Sequence, residues 1–201
     1  EENIMPLGAN KAAIMGVAGV STGDVVLLSS QTASNSATVS FTSGITSTYG
    51  EYIFKFYNIN PATDNVSFSF QANAAGASGY NETMTTATFR AHHYENDSES
   101  GVAYLTGNDQ AQGTAFQDIA GNVGNATDAS VAGELHIFNP ASTTYAKNFY
   151  SKTASMSANG SSYQNQFFAG GYINTATAID DIQFKCSSGN FDGKIKMWGV
   201  K

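Results

Sequence analysis

The sequence predicts an all-β fold, a two-sheet antiparallel β-sandwich, and three observations lead there. Only 12% of the 201 residues are charged, so the polar surface has to come from Ser, Thr, Asn, Gln and 20 Gly, which suit pleated strands and turns better than helices. Apolar and aromatic residues recur in short runs, often alternating, bounded by Gly, Asn, Ser and Pro clusters. No segment sustains a helical period. With 41% hydrophobic residues, including 13 Phe and 10 Tyr, the chain has the large side chains a core requires.

Asp24 to Ser30 and Ala37 to Phe41 are β-branched runs bounded by Ser, Asn and Gly, and read as strands. Gly50 to Ile59 is longer. It places Tyr52, Phe54 and Phe56 on one face and Ile53, Lys55 and Tyr57 on the other, which predicts an inner strand covered on both sides. Asn60 to Asp64 is turn chemistry and Val66 to Phe70 alternates strictly, so these two strands are expected to form a hairpin. Ala72 to Asn81 reads as an exposed loop, Thr83 to Tyr94 as a strand, and Asn96 to Ser100 as an acidic loop. Val102 to Leu105 is a further strand, and Asn108 to Asn125 is the least regular stretch. Gly133 to Phe138, Tyr145 to Ser151, Gln166 to Ile173, Ala178 to Cys186 and Lys194 to Val200 bring the expected total to about nine to eleven strands.

One short scheme occurs twice. A Gly-Glu pair, Gly50-Glu51 and again Gly133-Glu134, opens an apolar strand that closes on Asn60-Pro61-Ala62-Thr63 and on Asn139-Pro140-Ala141-Ser142. It fits the doubled Greek key of a jelly roll, and it fits equally the turn chemistry that hairpins select.

Charge and motif content exclude most chemistry. A net charge of −7 with nine Lys and Arg opposes nucleic-acid binding, which needs clustered cations. Cys186 is the single cysteine, so no intrachain disulfide forms, and alternation puts its thiol on the core face. Leu7 to Val20 is rich in small residues but carries Lys11 and follows Glu1 and Glu2, so it is a poor export signal, and no run approaches a membrane span. His92 and His93 are adjacent on a strand and point to opposite faces instead of converging on a metal. His136 shares a face with Glu134, as expected of a polar surface. Asp180 with Asp181, and Glu95, Asp97 and Glu99, are the acids a glycosidase would use, but they read as solvated turn residues. Asp97, Asp109, Asp118 and Asp128 lie in Asn/Gly-rich loops where a structural Ca²⁺ would find oxygen ligands, without EF-hand spacing. No nucleophile elbow, phosphate loop or Cys/His dyad is present, so the expectation is no enzyme and no cofactor. Tyr80, Tyr94, Tyr145 and Tyr163 flank loops, either as surface contacts for a sugar ring or as rim packing.

The C-terminal pattern Ala178-Ile179-Asp180, Ile182, Phe184, Ser187-Ser188-Gly189-Asn190, Gly193, Ile195 and Trp198-Gly199-Val200 resembles the ending of many virion proteins of tailed bacteriophages. Ser47-Thr48-Tyr49, Asn60 to Asp64, Gly124-Asn125, and Gly133-Glu134-Leu135 with Ile137 and Asn139-Pro140 recur in similar order in that group. The resemblance covers roughly Gly23 to Lys201. It implies one jelly-roll β-sandwich domain over residues 23–201, on the virion surface as a tail-fibre, tail-tip or head-decoration module. It also implies a homotrimer in contact with other virion proteins and with host surface glycans, with no enzymatic activity and no membrane insertion.

Fibre proteins of this kind usually carry a long shaft before such a module, whereas here about 22 residues precede the first strand, so a complete small protein is expected. Residues 1–22, with Pro6, Leu7, Ile14 and Met15, are expected to form an extended assembly arm docking on a neighbouring subunit, where small residues permit close backbone approach. The alternative to a virion role is a secreted carbohydrate-binding β-sandwich, against which the poor export signal counts.

Overall fold

The computed structural model describes residues 24–157 and 162–201. The expected arm, with Pro6, Leu7, Ile14 and Met15, lies outside the described residues. Apart from one 3-10 turn at Thr106–Asn108, the regular structure is strand: β1 (Val25–Ser36), β2 (Val39–Phe41), β3 (Glu51–Pro61), β4 (Val66–Ala74), β5 (Met84–Tyr94), β6 (Ser100–Tyr104), β7 (Ala111–Gly113), β8 (Gln117–Val123), β9 (Val131–Phe138), β10 (Lys147–Ser157), β11 (Tyr163–Ile173), β12 (Ile179–Cys186) and β13 (Phe191–Val200).

All pairings are antiparallel. One layer runs β1-β13-β3-β9-β10-β11-β5, with β6 and β7 on the far side of β5, and the other runs β8-β4-β12-β2. The layers join where Ser157 of β10 pairs Val123 of β8, so the ladder folds back on itself into a nearly closed barrel. The inner strands of such a sheet bury one face, which is what period-two alternation supplies, while β6 and β7 at the far edge carry no buried residue.

The core lies between the layers and is built on phenylalanine. Phe184 of β12 is its centre, with ring centroids 5.4 Å from Phe54, 5.3 Å from Phe56, 5.9 Å from Phe68 and 6.2 Å from Phe41, mostly edge-on or tilted as ring quadrupoles prefer. Tyr52 is fully buried. Its hydroxyl donates to the Thr46 carbonyl at 2.8 Å and accepts from the Thr46 N–H at 2.7 Å, which anchors the β2–β3 connection. Cys186 is buried at the edge of this core, as alternation predicts, and burial pushes its thiol up to about 12.

Three expectations need correction. β3 and β4 are not a hairpin: β3 pairs with β13 and β9, β4 with β12 and β8, and Asn60 to Asp64 carries the chain across from one layer to the other. Phe56 and Phe68 therefore face each other through the core, 5.3 Å apart. β3 is an inner strand, yet covered on one side only, for Tyr52, Phe54 and Phe56 are buried while Tyr57 is 40% exposed. Finally, the expected loop from Ala72 begins as strand, because β4 continues to Ala74 with Gln71 and Asn73 buried, the Gln71 amide donating to the carbonyls of Glu82, Thr114 and Ala115.

Candidate functional site

The outer face of the larger layer holds the densest set of functional side chains. Register places one row across seven strands: Lys196 of β13, Lys55 of β3, Glu134 of β9, Lys152 of β10, Phe168 of β11, Phe89 of β5 and Tyr104 of β6. Phe168 and Phe89 stack with centroids 4.8 Å apart and planes 12° from parallel, and Lys152 Nζ lies 6.0 Å from the Phe168 centroid. Phe89 and Tyr104 are 45% and 60% exposed. Lys55 pairs with Glu134 at 3.7 Å.

The neighbouring row runs Trp198, Ile53, His136 and Tyr150. His136 stacks on Tyr150 at 4.5 Å and 12°. Its Nδ1 lies 2.5 Å from Glu51 and its Nε2 3.3 Å from Glu134. The two carboxylates sit on opposite edges of one ring, so the three side chains do not converge on a metal, and among the described residues no group of His, Cys, Asp and Glu does. In place of the expected surface polarity, His136 is buried under Tyr150, its Nδ1 bonded to Glu51 and its Nε2 without a hydrogen-bond partner. Burial, and then the charges of Glu51 and Glu134, raise the Tyr150 hydroxyl above its ordinary value.

β3 carries an extra residue here. Opposite β13, Lys194 pairs Tyr57 and Asp192 pairs Asn60; opposite β9, Gly133 pairs Phe56 and Val131 pairs Ile59. This bulge, with Asn58 at φ 51°, turns Tyr57 and Asn58 both outward and bends the strand. The surface dips on either side of the Tyr57 ring. One cleft, of about 420 Å³, has Lys55, Glu134, Lys152, Gln166 and the small residues Ala132, Gly133 and Ala154 in its wall and floor. The other, of about 430 Å³, is bounded by Lys194, Lys196, Thr32 and Asn58. Lys196 Nζ is 5.3 Å from the Tyr57 centroid. Gly133 is obligatory in the first floor: a Cβ there would collide with the Lys152 carbonyl.

The four tyrosines singled out in the sequence do not form one surface. Tyr94 and Tyr163 stack at 4.8 Å, with Arg90 5.8 Å from the Tyr163 centroid, but Tyr163 is 2% exposed and is not the surface contact expected of it. Tyr145 is 73% exposed, beside Tyr49 and Ser142. Tyr80, half-buried, has its N–H bound by Asn73. β11 and β5 pair from Tyr163–Tyr94 to Ile173–Met84, so Tyr94 stands about 34 Å along the strands from the end where Tyr80 and Tyr145 lie.

The acids are similarly dispersed. Glu99 holds buried His92 at 3.1 Å and Asp97 holds exposed His93 at 3.2 Å, on opposite faces as adjacency predicts. Asp118 accepts from Ser69 and Asn108. Burial and then the neighbouring Asp180 raise the Asp181 carboxyl, opposed by a hydrogen bond from Asn73. Sequence reasoning missed Tyr57 and its lysines, although the spacing of Lys194 and Lys196 already put both on one face. No protein-family model, curated protein or solved structure matches this chain.

Proposed function

We propose that this chain is a non-enzymatic structural protein of a tailed-phage virion, an exposed jelly-roll appendage of tail-fibre, tail-tip or capsid-decoration type acting in particle assembly and host-surface attachment. The jelly-roll reading rests on how the strand pairs nest: β1 with β13, β2 with β12, β3 with β9, β4 with β8. That is one long antiparallel hairpin, and setting β3 beside β13 and β4 beside β12 rolls it up. On this reading β5 to β7 and the pair β10–β11 are additions that widen one layer.

The observation that supports the functional reading is that the motifs in which the sequence resembles phage virion proteins meet in space. Tyr49 of the Ser47-Thr48-Tyr49 motif packs on Gly199 of Trp198-Gly199-Val200. Ala62 N–H donates to the Asn190 carbonyl at 2.8 Å, and Asn139 N–H to the Gly50 carbonyl at 2.7 Å. Segments distant in sequence thus extend the β3–β13 and β3–β9 ladders together. Against catalysis stand the buried Cys186 thiol and the dispersed acids.

An antibody against the chain, used to label purified particles in the electron microscope, tests the reading. Label on heads or tail ends is the expected result, with light scattering giving three times the chain mass of 21.1 kDa for a homotrimer. Unlabelled particles with the protein free in the supernatant overturn it. They favour the second reading, a secreted carbohydrate-binding module, for which the exposed rings of Phe89, Tyr104 and Tyr57 speak.

A further inference from the structure

We infer that the Tyr57 ridge and its two flanking clefts bind an acidic, carboxylate-bearing polysaccharide. This rests on the surface-attachment reading above and gives it a ligand class.

Cations gather at this ridge. The chain has nine Lys and Arg against sixteen Asp and Glu, yet four of the nine, Lys55, Lys152, Lys194 and Lys196, surround one exposed tyrosine. Packing does not require them there: Lys152 and Lys194 are exposed, and the Lys55 side chain keeps 43% of its surface. Two carboxylates are close by, fewer than the four ammonium groups: Glu134, which lines the first cleft 3.7 Å from Lys55, and Asp192, which accepts from the Asn35 N–H at 2.7 Å. The ridge is thus a local excess of positive charge on an acidic protein, which repels polyanions elsewhere and concentrates them here.

Shape narrows the ligand. The clefts lie on opposite sides of Tyr57, each with two ammonium groups and the first also with the Glu134 carboxylate, so a ligand crossing the ridge offers anionic groups on both sides of a central unit that rests on the ring. An acidic polysaccharide does this, its sugar ring giving an apolar face to Tyr57 and its carboxylates reaching Lys55 with Lys152, and Lys194 with Lys196. The Gln166 side chain in the first cleft is placed to hydrogen-bond a hydroxyl. Beyond Lys152 the row continues onto Phe168, Phe89 and Tyr104, strands about 4.8 Å apart extending the track for further sugar units.

The test is calorimetry of the whole recombinant chain with polygalacturonate oligosaccharides, beside neutral dextran oligosaccharides and single-stranded DNA. The expected result is polygalacturonate binding that weakens as salt is raised, and at least about tenfold in Tyr57→Ala and in the double variant Lys194→Gln/Lys196→Gln, with no dextran binding and much weaker DNA binding. These side chains are at the surface, and unchanged thermal unfolding shows that the variants fold. No polygalacturonate binding, binding unaffected by both variants, equal binding of dextran, or DNA binding of equal strength would each overturn the inference. Particle labelling is read separately: a labelled virion with no polygalacturonate binding removes only the ligand, and binding by an unlabelled, secreted protein removes only the virion.

Discussion

The ring of Tyr49 packs directly on the backbone of Gly199, so closely that a methyl group on Gly199 would stand 2.5 Å from the ring's Cγ. Tyr49 is in turn edge-on to buried Tyr52, 5.9 Å away, so its ring has little freedom to retreat. Gly199→Ala is expected to destabilise the protein by about 1–3 kcal/mol, the range for overpacking a filled site. The double variant Gly199→Ala/Tyr49→Ala should lose less than the sum of the two single changes, because the clash is absent once the ring is gone. Urea denaturation of the four proteins measures this, and strict additivity would refute the contact.

Phe184 touches five other phenylalanines, contributed by both layers. Its removal opens a cavity that neighbouring rings from two sheets cannot jointly fill. Phe184→Ala is expected to cost about 3–5 kcal/mol in a denaturant titration, and Phe89→Ala, whose ring is 45% exposed and outside this cluster, much less.

These two residues also mark what could be read from sequence. Alternation put Phe184 and Cys186 on the core face and separated His92 from His93 because side-chain direction in a strand is a local property. Pairing is not local: Asn60-Pro61 and Asn139-Pro140 look alike, yet the first carries the chain to the other layer and the second closes the β9–β10 hairpin. The outer face was hidden for a related reason. Ile53 and Tyr57 suggested a second buried side on β3, whereas that side faces outward, with Tyr57 beside the stems of lysines from β13 and β10. Which lysines meet Tyr57 depends on a bulge that shifts register on both flanks of β3, and no single-strand pattern encodes that.

Cys186 is buried and its thiol is pushed up to about 12 by removal from water, so almost none of it is thiolate at neutral pH. The native protein is expected to resist iodoacetamide and Ellman's reagent, and to react with one equivalent once denaturant unfolds it. Fast labelling of the folded protein would contradict the packing of β12.

Lys147 opens β10 facing inward, fully buried, its ammonium donating to the carbonyls of Tyr145 at 2.8 Å and Thr175 at 2.9 Å. Desolvation lowers its pKa below the ordinary 10.5, and the Glu82 carboxylate partly opposes that. A base whose folded value is depressed binds fewer protons folded than unfolded. Its destabilising contribution is complete below the folded value and relaxes as pH rises from there toward 10.5, so the protein gains stability across that window. Lys147→Met has no proton to lose. The stability of the original chain relative to this variant should therefore increase between the lowered value and 10.5 and be flat below it, with tyrosine and thiol titrations cancelling in the comparison. Urea midpoints of both proteins from pH 7 to pH 10.5 measure the difference; a falling difference would mean that Glu82 and the two carbonyls outweigh desolvation and hold the ammonium charged.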